Sequence, residues 1–260
     1  MPSAPSSEVT AAPLAVDVTA APLAVLTDIE GTVTPIAFVH RVLFPYARAA
    51  LPAMIRERAH EPQVAAALRE IRVQAPDADP LAQCLAWMDA DAKVTPLKAL
   101  QGVAWQDGYA SGALRSELYP DVAPILRAWH AAGVRLAVYS SGSEAAQRLI
   151  FRHPAEGDLT GLFAAFLDTR IGGKRDPASY REAARLLALP AASILFLSDV
   201  TAELDAAAVA GLPTCQLVRP ADPTVAGERH PTATDLTTVA QRFGLPHAEA
   251  ARPGPGSVRA

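Results

Sequence analysis

The chain has 260 residues, half of them hydrophobic and 19% charged, with a formal charge of −4; this is the composition of a folded globular protein with room for one sizeable domain and a smaller one. Such a charge supplies no basic field for a polyanion, so neither DNA nor RNA is an expected partner, whereas a small anion can still be held locally. The two cysteines, Cys84 and Cys215, lie in no Cys-x-x-Cys pattern, which predicts buried thiols in a reducing cytoplasm rather than a disulfide framework or a zinc site.

Residues 1–21 are rich in Ala, Pro, Ser and Thr, and the segment Val9 to Val16 recurs letter for letter from Val18 to Val25. The repeat is too short for a solenoid, so this stretch reads as a mobile tail whose second copy enters the structure. The first basic residue is Arg41, so the positive start of a secretory signal is missing. No apolar run approaches the ~20 residues of a transmembrane helix, and no membrane contact is expected.

The first expected strand, Leu23 to Leu26, has four apolar residues without polar alternation, the mark of a strand buried on both faces of a parallel sheet. It delivers Asp28 and Glu30 into a turn closed by Gly31, Thr32 and Thr34. Ligand sites in such sheets lie at the carboxyl ends of strands. Two carboxylates emerging there repel each other unless a cation neutralises them, and Mg2+, a hard ion that takes carboxylate and carbonyl oxygens, suits the place.

Residues 36–118 then show apolar residues at helical spacing over Phe38 to Arg58, Gln63 to Val73, Pro80 to Ala92 and Leu97 to Leu118, with no convincing strand. A helical insertion directly after the carboxylate turn is expected to sit over the strand ends as a lid that excludes water. Beyond it, the short apolar runs Leu136 to Tyr139, Ala165 to Leu167, Ile194 to Leu197 and Cys215 to Val218 read as buried strands. Helices are expected between them at Val122 to Ala132, Glu144 to Arg152, Pro177 to Leu189 and Ala202 to Ala210, the last capped by Gly211. This alternation predicts a parallel sheet covered on both faces by right-handed crossovers. The organisation is then a core of residues 22–35 and 119–247, a helical cap of residues 36–118, and mobile tails at 1–21 and 248–260.

Three later segments carry polar chemistry at strand ends. Tyr139-Ser140-Ser141-Gly142-Ser143 offers hydroxyls and free amides ahead of a helix, a small anion site in which Ser143 is better suited to cap the helix. Lys174 stands in the glycine-rich run Ile171-Gly172-Gly173-Lys174, and Arg170 and Arg175 beside it are weaker candidates. Asp199 emerges from the strand before it much as Asp28 does, with Glu203 and Asp205 following. The six histidines show no pair at ligand spacing, so metal binding through them is not expected. The run Arg56-Glu57-Arg58 reads as a solvated helix face, and Lys98 as structural first and a substrate contact second.

In this order the motifs Asp28-Ile29-Glu30-Gly31-Thr32, Ser140-Ser141, Lys174 and Ser198-Asp199 resemble those of the haloacid dehalogenase superfamily of aspartate-dependent phosphatases. Glu30 replaces the second aspartate usual in that superfamily. It is a feature of the enolase-phosphatase (acireductone synthase) branch of methionine salvage, which the chain also resembles at Thr34 to Phe38 and Leu43 to Tyr46. The resemblance implies a Rossmann-like α/β core with the cap inserted after the first strand. It implies Asp28 as the nucleophile and Glu30 as the acid that protonates the leaving oxygen and then activates water. Phosphate would lie against Ser140, Ser141 and Lys174. One Mg2+ per subunit would be held by Asp28, the Glu30 backbone oxygen and Asp199, with Glu203 as an outer partner.

The implied reaction is enolisation and dephosphorylation of 2,3-diketo-5-methylthiopentyl-1-phosphate, in a cytoplasmic monomer. The methylthio ketone rests on the family match alone. Rival readings are a phosphatase for another small phosphate ester, a hydrolytic dehalogenase and a non-catalytic binding module; the second has no phosphate to neutralise, and the third has no reason to keep all four of Asp28, Glu30, Lys174 and Asp199.

Overall fold

The computed structural model describes residues 21–247. The expected tails therefore lie, apart from Ala21, outside the described residues. Six parallel strands form one sheet: β1 Ala24–Thr27, β2 Arg135–Tyr139, β3 Phe163–Leu167, β4 Ile194–Ser198, β5 Thr214–Leu217 and β6 Thr232–Ala233, in the order β3-β2-β1-β4-β5-β6. The five expected strands are present with their ends moved by one or two residues. The sixth was not expected, because two residues after a proline carry no periodicity to read.

All four residues of β1 are buried, and they alternate between two cores. Val25 packs on one face with Leu136, Val138 and Leu195, while Ala24 and Leu26 pack on the other with Ala137, Tyr139 and Phe196. That is why the strand shows no polar alternation in sequence.

After β1 the chain leaves the sheet for a helical insertion: α1 Ile36–Phe38, a π-helical turn Val39–Leu43, α2 Phe44–Glu57, α3 Pro62–Gln74, α4 Pro80–Asp89 and α5 Thr95–Ala110. The single helix expected over Phe38 to Arg58 is thus interrupted. Pro45 has no amide hydrogen to give the preceding turn, and the widened turn lies just before it. The helix expected to run to Leu118 stops at Ala110, where Gly112 turns the backbone to φ +76°. The insertion has its own apolar cluster, including Leu51, Met54, Leu68, Ile71, Cys84 and Leu100.

The sheet's own helices are α6 Val122–Ala131, α7 Glu144–Arg152, α8 Pro177–Leu187, α9 Thr201–Val209 and α10 Leu236–Phe243. The first, second and last of these cover one face, and α8 and α9 the other. No helix among the described residues is long and apolar enough to cross a membrane.

Both crossings between sheet and insertion meet at one buried arginine. Arg219, 2% exposed, donates to the Thr32 carbonyl at 2.9 and 2.7 Å and to the Asp121 carboxylate at 2.8 and 2.9 Å. Its guanidinium also lies 4.2 Å from the centre of the Tyr119 ring. The Tyr119 hydroxyl donates to Asp222, which accepts the Ile36 amide at 3.3 Å. The outgoing and returning strands of the linker are thereby tied to the loop after β5, directly behind the Asp28 turn.

Candidate active site

β1 is the point where the strand order reverses, with β2 on one side and β4 on the other. Thr27 is in register with Val138 and Leu197, so the next residues, Asp28, Tyr139 and Ser198, stand side by side at the carboxyl end of the three strands. The Asp28 amide donates to the Leu197 carbonyl at 2.8 Å, fixing where its side chain starts. Gly31 then turns back at φ +68°, and a Cβ there would lie 2.6 Å from Asp199 Oδ2. Only glycine permits the Asp28 turn to approach Asp199 this closely.

Lys174 joins the acid that follows β1 to one in the first turn of α9. Its Nζ lies 2.7 Å from Asp28 Oδ1 and 2.5 Å from Glu203 Oε2, and its side chain is 5% exposed. Burial works against the ammonium, but Asp28 and Glu203 outweigh it and raise the lysine pKa. Glu203 also accepts the Ser198 hydroxyl at 2.9 Å. The glycine-rich loop that carries Lys174 is held by hydroxyls: Tyr180 on the Lys174 carbonyl at 2.7 Å, Ser179 on Gly173 at 2.9 Å and Tyr139 on Gly172 at 2.9 Å.

Against this ammonium stand Asp28, Asp199 and Glu203, and Glu30 feels Lys93 more than Lys174. Burial first and the Asp28 charge second push Asp199 and Glu203 up to about 6 and Glu30 up to about 7. A cluster with such an excess of carboxylate is short of positive charge. Carboxylate oxygens such as those of Asp28 and Asp199 are donors that a hard divalent ion takes. No group of three or more acidic, histidine or cysteine side chains gathers at a metal distance among the described residues. Asp199 is held by Thr224, whose hydroxyl donates to it at 3.2 Å, and by Gln216, whose amide donates to the Asp199 carbonyl at 2.9 Å.

The Ser140-Ser141 loop follows β2. Ser140 Oγ accepts the Gly142 amide at 3.2 Å, and Gln147 donates to the Gly142 and Leu167 carbonyls at 2.8 Å each. Ser143 caps α7 by accepting the Ala146 amide at 3.3 Å, as expected. From the insertion, Lys98 Nζ donates to the Ser141 carbonyl at 3.2 Å. Lys98 thus ties the insertion to the Ser141 loop.

Between the strand ends and the insertion lies a cavity of about 360 Å³. Glu30, Ser140 and Ser141 from the core and Arg48, Asp91, Lys93 and Lys98 from the insertion are among its polar lining, and Leu43, Phe44, Trp87, Met88, Leu97 and Trp105 make up much of its apolar lining. Trp105 donates from its indole nitrogen to the Leu43 carbonyl at 2.8 Å and stacks on Phe44 at 6.3 Å between ring centres. His40 Nε2 approaches Glu30 Oε1 to 3.4 Å at the rim.

The structure thus brings Asp28, Glu30, Ser140, Ser141, Lys174 and Asp199 to one end of the sheet. Arg170 is turned away, paired with Asp168 and Glu144. Asp205 holds His230 at 2.9 Å and also Arg229. Arg58, expected on a solvated face, bridges Glu61 and Asp107 within the insertion. Tyr139, Ser179, Tyr180, Gln216, Arg219 and Thr224 were missed as site supports, because each acts through a partner distant in sequence or through backbone and leaves no local motif.

A family model described as haloacid dehalogenase-like hydrolase matches residues 22–211. The chain is 63% identical over 223 residues to Enolase-phosphatase E1 of Gluconacetobacter diazotrophicus, covering 86% of this chain and 95% of that protein. It is 59% identical to Enolase-phosphatase E1 of Acidiphilium cryptum, covering 85% and 96%. Among solved structures, the UTR4 protein of Saccharomyces cerevisiae superposes with a TM-score of 0.71 at 32% identity, over 82% of this chain and 98% of that one. The chain belongs to the haloacid dehalogenase-like hydrolases and, within them, to the enolase-phosphatase E1 family.

Proposed function

We propose that the enzyme converts 2,3-diketo-5-methylthiopentyl-1-phosphate to the acireductone 1,2-dihydroxy-3-keto-5-methylthiopentene and phosphate, by enolisation followed by phosphoryl transfer to Asp28. The observation that carries this reading is a strand-end carboxylate, paired to a buried lysine at 2.7 Å, directly before Ile29 and Glu30, which line a cavity with both polar and apolar residues. The relatives named above support the choice of reaction.

Asp28 attacks phosphorus in line with the leaving oxygen, forming an aspartyl phosphate. Lys174 and the Ser140-Ser141 loop bind the phosphate oxygens, and Lys174, held by Glu203, is already in place when charge shifts during transfer. Glu30 handles protons: a carboxyl titrating at about 7 is present in both forms at neutral pH, so it can give a proton to the leaving oxygen and later take one from water. Asp28, the Glu30 carbonyl and Asp199 would hold one Mg2+, which when bound offsets the negative oxygens that repel an anionic nucleophile. The insertion acts as a cap whose apolar wall takes the methylthio end and keeps water from the enol. The enzyme works in the cytoplasm as a monomer.

The test is phosphate release and acireductone absorbance from the diketone phosphate, run beside a panel of sugar phosphates with and without Mg2+. The expected result is Mg2+-dependent release with strong preference for the diketone. Equal or better turnover of a sugar phosphate would reassign the enzyme to another phosphate ester.

A further inference from the structure

The chain has three lysines. Lys174 is paired with Asp28 and Glu203, and Lys93 with Asp91 at 2.6 Å. Lys98, on α5 of the insertion, pairs with no carboxylate among the described residues; its Nζ contacts the Ser141 carbonyl at 3.2 Å. A single carbonyl leaves donors of an ammonium unused. The side chain lines the cavity together with Glu30, Ser140 and Ser141, and with Lys93 of the same insertion. Partial burial, then the nearby Lys93 charge, lowers its pKa, with Asp168 opposing them more weakly.

Enolisation creates a counter-charge. A carboxylate base, Glu30 in this cavity, takes the proton from carbon 1; the C–H electron pair becomes the C1–C2 double bond, and the carbonyl π pair moves onto the oxygen of carbon 2. That oxygen is carried by the carbon next to the one bearing the phosphate ester, so a phosphate held against Ser140 and Ser141 brings it close to the Ser141 loop that Lys98 contacts.

We propose that Lys98 is a catalytic residue of the enolisation step, its ammonium donating to the oxygen of carbon 2 as that oxygen gains charge. The proposal rests on the reading of the reaction given above. It assigns the cap a chemical part in the reaction besides shielding it.

The test compares the wild-type enzyme with Lys98→Met and Lys98→Arg, each checked for an unchanged melting profile, with Lys98→Gln replacing Met should that variant not fold. Two quantities are read: kcat and kcat/KM for acireductone formation, and the affinity for inorganic phosphate in the presence of Mg2+. A cation acting on the ketone oxygen predicts a loss of about 10²-fold in kcat and kcat/KM for Lys98→Met, with partial recovery in Lys98→Arg. Phosphate affinity should stay within about threefold, a difference of well under 1.4 kcal/mol.

If phosphate affinity falls in step with turnover, Lys98 is a latch on the Ser141 loop or a phosphate contact, and the proposal is overturned. It is equally overturned if Lys98→Met turns over the diketone within about threefold of wild type, too small a loss for a group stabilising the enolate. If the wild-type enzyme itself makes no acireductone while hydrolysing other phosphate esters, the proposed reaction fails and takes this inference with it, an outcome separable from the first two because no variant is needed to see it.

Discussion

At the strand ends, Asp28, Lys174, Glu203 and Ser198 form a chain of contacts of 2.5 to 2.9 Å, almost closed to solvent. Across the cavity, α2, α4 and α5 offer Phe44, Trp87, Met88 and Trp105, whose indole bond to Leu43 is internal to the insertion. The charged end is preorganised by directional contacts, and moving one partner leaves another buried without its counter-charge. The apolar end is non-directional and tolerates changes of shape, each methylene being worth about 1–3 kcal/mol of discrimination. Substitutions at the first should therefore strike kcat and stability, and those at the second KM.

The largest expected effect is on Asp28→Ala. Phosphate release should fall by about 10⁴-fold or more, the scale seen when a nucleophile is removed, while the protein stays folded because Lys174 keeps Glu203 as a partner. Activity within a few fold of the parent would remove Asp28 from the chemistry. Lys174→Ala comes next, with a loss of about 10²- to 10³-fold in kcat/KM. It also differs from Asp28→Ala in stability: Asp28 and Glu203 are left buried together, a loss of about 3–5 kcal/mol, readable in denaturant unfolding. Equal stability of the two variants would contradict the view that Lys174 holds the cluster together.

Phe44→Ala tests the other end. It should raise KM for the diketone phosphate by about tenfold while changing kcat little, as expected when binding is lost equally in ground and transition states. A kcat loss larger than the KM rise would mean that the cap orients the reacting atoms rather than only holding the tail. The smallest effect concerns pH. The raised pKa of Asp199, about 6, means that a proton competes with the metal below that value. Thermal stabilisation by Mg2+ should accordingly be present at about pH 7.5 and shrink toward about pH 5.5. Stabilisation that grows on acidification would exclude Asp199 as a ligand.

The same contrast explains what the sequence made legible. Asp28, Ser140, Lys174 and Asp199 each follow a buried strand or sit in a glycine turn, so a short window contains both the apolar run and the polar group it delivers. Arg219 reaches Thr32 across 187 positions, and Gln216 reaches Asp199 across 17; neither sits in a pattern that a window can register. The insertion was legible as helices, but its breaks were not: the π turn before Pro45 and the stop at Ala110 depend on hydrogen bonds that periodicity does not report. Lys98 shows the limit most plainly, since only folding brings α5 over the Ser141 carbonyl.

The division of labour is tested most directly in Asp28→Asn, after bound Mg2+ has been measured on the variant and found retained. Enolisation needs a base and a cation but no attack on phosphorus, whereas phosphate release needs the Asp28 carboxylate. The diketone phosphate should then be converted to a phosphorylated enol, seen by its absorbance and by solvent deuterium at carbon 1, with no free phosphate. If metal is retained and neither signal appears, one site does not perform two separable reactions, and the enzyme is a simple phosphatase.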